Sequence, residues 1–325
     1  MEGKKLTKKS NLWDVLIDGR IFIVLLLLIV IMAAATPKFL MLANIRNVLR
    51  QISINAIIAI GMSFVITTGN IDLSVGSIVG LSSIVVGKLA MANMPLPLVI
   101  TIGVVAGGIA GALNGLIIAH FKIPAFVATL AMQNAVRGAA YLLCEGLPIA
   151  GFSSSYNVIG QGYWLGVPIP VYIMFLVAII AWFVFARTRF GRHVYFTGGN
   201  EMAARNSGIN VFGVKVSVYT ISGILAGLAA VILTFRIASA LPENGTGYEG
   251  DAIAATVIGG TAMRGGYSTV YGTLVGALIL GIIENGMNLL GVSEYWQMII
   301  KGLVILLAVI MDNEVSRIRM EKVKK

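Results

Sequence analysis

Pro97-Leu-Val-Ile-Thr-Ile-Gly-Val-Val-Ala-Gly-Gly-Ile-Ala-Gly-Ala-Leu-Asn-Gly-Leu-Ile-Ile-Ala-His120 contains no Lys, Arg, Asp or Glu. At about 1.5 Å per residue, a helix of this length outspans the ~30 Å hydrocarbon core of a bilayer. Gly103, Gly107, Gly111 and Gly115 recur every four residues and so share one face. Contact between apolar helices has no advantage over contact with acyl chains. Small residues at this spacing are therefore what lets helix backbones approach in lipid. Such a stripe serves packing within one subunit more often than a seam between two.

The rest of the chain reads the same way. Gly76 and Gly80, Gly223 and Gly227, and Gly272 and Gly276 repeat the spacing. The 325 residues are 58% hydrophobic and 12% charged, whereas a soluble domain is about one quarter charged. Mean hydropathy is +0.91. Ten apolar stretches, 21–36, 51–68, 75–92, 97–120, 124–143, 168–186, 213–235, 251–263, 268–290 and 296–311, predict an all-α polytopic membrane protein. The stretch 251–263 is short enough to be either a full span or a re-entrant segment.

Charge sets the expected topology. Lys4, Lys5, Lys8, Lys9 and Arg20 precede the first stretch, and Arg317, Arg319, Lys322, Lys324 and Lys325 follow the last. Cytoplasmic loops carry the excess of Lys and Arg, which puts both termini in the cytoplasm and demands an even number of crossings. Residues 1–20 and 312–325 are then basic cytoplasmic tails around a single transmembrane domain, 21–311. Six crossings place the loop 187–212, with Arg187, Arg189, Arg192 and His193, on the same side. Lys38, Arg46 and Arg50 dissent by falling outside. The start resembles a signal peptide, but no small-x-small cleavage site leads into a soluble region, so a retained first span is expected. A net charge of +10 without basic patches interleaved with aromatics on a soluble domain argues against nucleic acid. Cys144 is the only cysteine and His120 and His193 the only histidines, which leaves no disulfide, no metal site and no cofactor to expect.

The central loop carries Gly199-Gly-Asn-Glu-Met-Ala-Ala-Arg-Asn-Ser-Gly-Ile-Asn210. Asn200 suits an N-cap, Glu201 the first turn, and Glu201 with Arg205 forms an i,i+4 pair. Ala203, Ala204 and Ser207 complete a short helix that Gly208 ends in the left-handed conformation. A rigid exposed stub outside the bilayer is what docking to a partner needs.

No Walker A pattern, His-Glu-x-x-His, Gly-x-Ser-x-Gly or pair of membrane aspartates is present, so enzymatic parts are lacking and energy must come from a partner or an ion gradient. Polar residues within the apolar stretches are mostly neutral. Asn70, Asn114, Gln133, Asn134, Asn285 and Asn288, with Asp72 and Glu284, are the candidate lining of a path for an uncharged, hydroxyl-rich solute. Each amide could equally serve an interhelical hydrogen bond. Asp72 with Ser74, and Asp251, read as helix caps. Glu284 is expected to bind a solute hydroxyl or pair with Lys301, and Arg137 needs an unnamed partner within its span. Thr67–Gly80 and Thr246–Gly260 look like relatives, as in transporters built from repeats. The loop Gly146–Trp164 is expected outside, as an interfacial loop or a meeting place for an extracytoplasmic partner.

Gly61-Met-Ser-Phe-Val-Ile-Thr-Thr-Gly-Asn-Ile-Asp-Leu-Ser-Val-Gly-Ser77, the Gly-Gly-Asn-Glu segment above and Gly245-Thr-Gly-Tyr-Glu249 resemble the ribose/galactose-type permeases of bacterial ATP-binding-cassette importers. So do Val257-Ile-Gly-Gly-Thr261, Gly272–Gly281 and Asn285-Gly-Met-Asn-Leu-Leu-Gly-Val292, within a match over about 37–313. The resemblance implies a type II importer fold of about ten spans in the bacterial inner membrane. It implies a pair of permeases, most often two copies, with two cytoplasmic ATPase subunits and an extracytoplasmic sugar-binding protein. Residues 199–208 then match the coupling helix, and specificity would reside mainly in the binding protein. Arg264 departs from the pattern, where an uncharged residue is expected. An ion-coupled secondary transporter or facilitator is the alternative.

Overall fold

The computed structural model describes residues 12–323, with side chains placed over 21–310. The long helices are α1 (Leu12–Ala35), α2 (Leu42–Thr67), α3 (Val75–Met91), α4 (Leu96–Phe121) and α5 (Ala125–Cys144). A loop bearing the four-residue α6 (Val158–Gln161) leads to α7 (Ile169–Arg187), then to α8 (Arg189–Gly199) and α9 (Glu201–Asn206). The chain ends with α10 (Val211–Ile237), α11 (Tyr248–Ile258), α12 (Val270–Leu289) and α13 (Glu294–Val323). Each of the ten apolar stretches falls on one helix. Among the described residues, α2, α4, α7, α10 and α12 are long and apolar enough to cross a membrane. The first helix begins at Leu12, inside the stretch expected as a basic tail. The lysines from Lys4 to Lys9, with Lys324 and Lys325, lie outside the described residues.

The second helix is the centre of the bundle. From Ala56 to Thr67 every residue is buried, against α7, α10, α11 and α12. A helix apolar on all sides belongs in a protein core or a membrane, and here other helices rather than lipid cover it.

The glycine stripe of α4 packs within the chain. A β-carbon at Gly107 would lie 2.9 Å from Gly227 Cα, one at Gly111 3.0 Å from Gly223 Cα, and one at Gly115 2.7 Å from Val216 Cα. Each is closer than real β-carbons come, so α4 and α10 meet backbone to backbone. Gly276 likewise seats α12 on α11, at 3.1 Å from Gly259 N.

The stretch 251–263 is not a continuous helical span. After α10 closes at Ala238, with φ +53°, Ser239 and Ala240 pair with Ile149 and Ala150 in a two-residue antiparallel bridge. The chain then runs along α3 in successive turns. Gly87 faces Ala240, Gly80 faces Pro242 and Asn244, and Gly76 faces Gly245. The eleven residues from Gly76 to Gly87 represent about 16 Å of helix rise, so this strap descends that far into the bundle before α11 begins. At eleven residues, α11 itself spans only about half of the ~30 Å core. The two segments read as relatives, 67–80 and 246–260, therefore touch where α3 starts. Irregular backbone at this depth is tolerable where protein covers it, as at the buried Pro242, Asn244 and Gly245.

Candidate functional site

The segment 199–210 has the predicted local structure. The extended Asn200 accepts the Ala203 N–H on Oδ1 at 2.9 Å. Glu201 and Arg205 pair at 3.3 Å. Gly208 takes φ +82°, its N–H donating to Arg205 O while the Ile209 N–H donates to Ala204 O, both at 3.0 Å. These two bonds close the helix in a Schellman turn. A further tie was not legible locally: Lys215 of α10 reaches Glu201 at 2.8 Å. Gly199, Asn200, Ala203, Arg205, Ser207 and Gly208 are exposed and Glu201 half-buried, whereas Ala204 is buried.

What holds this stub is mostly α8, a helix where the sequence suggested only a basic loop. Thr188 caps it, accepting the Gly191 N–H at 3.0 Å. Its buried face of Gly191, Val194 and Thr197 leaves Arg189 and Arg192 exposed. The Tyr195 hydroxyl donates to Ser268 O at 3.0 Å, and partial burial raises its pKa above the ordinary tyrosine value. At Gly198 a β-carbon would strike Thr67 O and come within 2.6 Å of Gly266 N. The Gly266 N–H itself donates to Thr67 O at 2.9 Å. Gly265 and Gly266 both have positive φ, which only glycine adopts freely. The ends of α2 and α8 and the α11–α12 turn thus form one platform, with exposed Arg264 on its rim. A groove of about 760 Å³ opens between α8 and α9, lined by Arg192, Tyr195, Phe196, Asn200, Ala203 and Ile209. A second of about 380 Å³, on the other flank of α9, holds Asn70, Lys122, Glu201 and Arg205.

The remaining path candidates separate into two groups. Asp72 is fully buried and accepts from Ser74 N–H at 3.0 Å, Ser74 hydroxyl at 2.6 Å and Ser222 hydroxyl at 3.2 Å. Asn114 donates to Ser74 Oγ at 2.7 Å. The expected cap is therefore also the knot tying α3, α4 and α10. Asn285 and Asn44 exchange amide bonds at 2.9 and 3.0 Å. Glu284 pairs with Lys301 at 2.5 Å, as anticipated, and accepts from Gln51 at 2.8 Å. Lys301 also holds Asp251, at 3.3 Å; Asp251 lies within α11, whose N-cap is Gly247, so it is an ion-pair partner and not the expected cap. Asn288 is exposed and bonds Gln297 at 2.9 Å.

Gln133 and Asn134 are placed differently. Asn134 is exposed midway along α5 and bonds only its own helix, at Leu130 O. Exposed Ala131, Ala135 and Gly138 surround it on that face. Gln133, Arg137 and Tyr141 form a stripe at i, i+4, i+8 facing the strap. Gln133 donates to Glu249 Oε1 at 3.2 Å. Tyr141 donates to Glu243 Oε1 at 2.7 Å. Arg137 finds the partner the sequence could not name: it donates to Pro242 O and to Asn244 O. The room comes from Gly80, where a β-carbon would lie 2.5 Å from the guanidinium and 2.6 Å from Pro242 O. Strap carbonyls that no ladder satisfies are thus met by a charged donor.

At the opposite end of α2 from α9, Arg46 and Arg50 lie 5.3 and 5.1 Å from the centre of the Tyr163 ring. Arg50 donates to the Tyr163 hydroxyl at 2.7 Å, and Arg236 reaches Asn47 at 3.4 Å. No salt bridge to any of the three forms among the described residues.

Residues 44–309 match the family model described as branched-chain amino acid transport system / permease component. The ribose import permease protein RbsC of Haemophilus influenzae is 46% identical over 314 residues, covering 95% of this chain and 97% of that one. The galactose/methyl galactoside import permease protein MglC of the same organism is 37% identical, covering 94% and 97%. The L-arabinose ABC transporter permease protein AraH of Azospirillum brasilense is 34% identical, covering 94% and 90%. No solved structure matches. The relatives are importer permeases, and the alternative of an ion-coupled transporter falls with that. A helical bundle with apolar spans, an exposed capped stub and neutral amides in its interior meets a family match over most of its length: the chain belongs to the permease family of ATP-binding-cassette importers, among the ribose/galactose-type sugar permeases.

Proposed function

We propose that this chain is the membrane subunit through which a cassette importer moves a monosaccharide of the ribose kind. The reading has ten spans, one of them strap plus half-helix, and both termini in the cytoplasm. A second permease copy, two cytoplasmic ATPase subunits and an extracytoplasmic sugar-binding protein complete it. One observation carries the coupling role. The stub Glu201–Asn206 is capped at both ends, pinned to α10 through Lys215, and seated on the platform that joins α2, α8 and the α11–α12 turn. A push on α9 therefore reaches the bundle centre without passing through a flexible loop.

The path is read as running between two copies, along the exposed amide and small-residue face of α5. An exposed asparagine at mid-helix, with the exposed Glu243 and Thr246 of the strap nearby in the fold, is not a surface lipid can cover cheaply. Asp72, Asn114 and Asn285 are then read as holding the walls rather than touching solute. The arginines at the far end of α2, three positive charges without carboxylates on the extracytoplasmic side, form the face for an acidic surface of the binding protein.

Glu201→Lys and Arg205→Glu test the reading. Each is expected to accumulate normally, to co-purify poorly with the ATPase and to lose ATP-driven uptake. Normal uptake by both variants refutes the docking role.

A further inference from the structure

Glu249 opens α11 where the strap ends, and the roles described so far do not use it. One carboxylate oxygen takes the Gln133 amide at 3.2 Å. The other, Oε2, is buried without a hydrogen-bond partner. Asn244 is 8% exposed, and its Nδ2 is also buried without a partner. The two groups flank one tight turn, in which the Thr246 N–H donates to Glu243 O at 3.0 Å and the Tyr248 N–H to Gly245 O at 3.1 Å. The carboxylate and the turn both press on α3: a β-carbon at Gly76 would strike Glu249 Oε2 and Gly245 O. Thr246 and Gly247 beside them are exposed, as is Asn134 across from Gln133. The nearest cation, Arg137, is committed to the strap carbonyls of Pro242 and Asn244. No salt bridge to Glu249 forms among the described residues.

Buried polar groups are almost always satisfied, so an orphaned acceptor and an orphaned donor together call for an explanation. A carboxylate with amides on either side matches a vicinal diol: one hydroxyl donates to the carboxylate and the neighbouring one accepts from an amide. We propose that Glu249, Gln133 and Asn244 form a hydroxyl-binding subsite for the sugar on the α5 face, so that the membrane subunit is itself selective. This rests on the reading of that face as the solute path. A site built to hydrogen-bond hydroxyls rejects a deoxy analogue, because its buried groups would then stay unpaired. A half-helix starting in the bundle, with its N-terminus beside this turn, adds dipoles that suit a hydroxyl oxygen.

The test uses the complete transporter, with its ATPase and binding protein, in proteoliposomes, the binding protein saturated with ribose or with 2-deoxyribose. Glu249→Gln and Gln133→Leu are expected to lower ribose moved per ATP hydrolysed at least tenfold and to narrow the preference for ribose over 2-deoxyribose. Wild-type stoichiometry and preference in the variants overturn the subsite. Should Glu249→Gln fail to co-purify with its partners, Gln133→Leu decides alone. The path reading is tested separately by Asn134→Cys in a Cys144→Ser background, which leaves a single thiol. Labelling of that thiol by a water-soluble maleimide in the assembled transporter supports the path whatever the Glu249 result. Absence of labelling overturns the path and the subsite with it.

Discussion

Replacing Arg137 with methionine isolates the contact that holds the strap in the bundle. The substitution keeps an unbranched side chain of similar length and removes the donors to Pro242 O and Asn244 O. Pro242 and Asn244 are buried, so water does not replace the lost bonds. An unsatisfied buried acceptor costs about 1–3 kcal/mol, which for two carbonyls sums to about 2–6 kcal/mol. Because the strap is tied to α5 mainly by this arginine and the Tyr141–Glu243 bond, the loss falls on local opening rather than on global unfolding. Amide hydrogen exchange over 240–249 should therefore quicken at least about thirtyfold, the factor corresponding to roughly 2 kcal/mol, while exchange in α2 and α4 stays as it was. Arg137→Lys should fall between, since a compact ammonium cannot span both carbonyls as a fork does. Exchange over 240–249 that is unchanged in Arg137→Met would refute the argument that a mid-span arginine exists to satisfy irregular backbone.

Gly111→Leu should abolish accumulation of the protein, because even its β-carbon would lie 3.0 Å from Gly223 Cα; Gly111→Ala should show a lowered melting temperature in detergent, and an unchanged one would disprove the close approach of α4 to α10. Lys301→Met strands Asp251 and Glu284 together, and breaking a buried pair this way costs about 3–5 kcal/mol; adding Glu284→Gln should recover part of that stability in the same melting assay. Gly208→Ala imposes a side chain on a φ of +82°, at about 1–2 kcal/mol, and should loosen exchange across α9 without altering that of α10.

Much of the segment 199–210 was legible because its determinants are local. An N-cap reads three residues ahead, an i,i+4 pair four, and a Schellman glycine is recognisable by its identity. Asn200, Glu201, Arg205 and Gly208 accordingly behave as their order along the chain demands. The helix α8 escaped notice because its arginines and glycines suggest a solvated loop, and only the faces offered by α7, α10, α2 and Ser268 give Val194 and Tyr195 something to bury against. Lys215 joins Glu201 across a turn whose shape no pattern of residues announces.

The sequence by itself determined that this is a helical membrane protein and where nearly every helix lies, since backbone in lipid must satisfy its hydrogen bonds within the segment. It also showed that the interior carries neutral amides and small residues. Which amides are spent on the fold was settled only in three dimensions: Asn285 meets Asn44 across 241 residues, Asn114 meets Ser74 across 40, and Arg137 meets Pro242 across 105. The same holds for the descent of 238–247 beside α3. A strap of successive turns has no period, so nothing in its own residues distinguishes it from a surface loop until Gly76, Gly80 and Arg137 are seen around it.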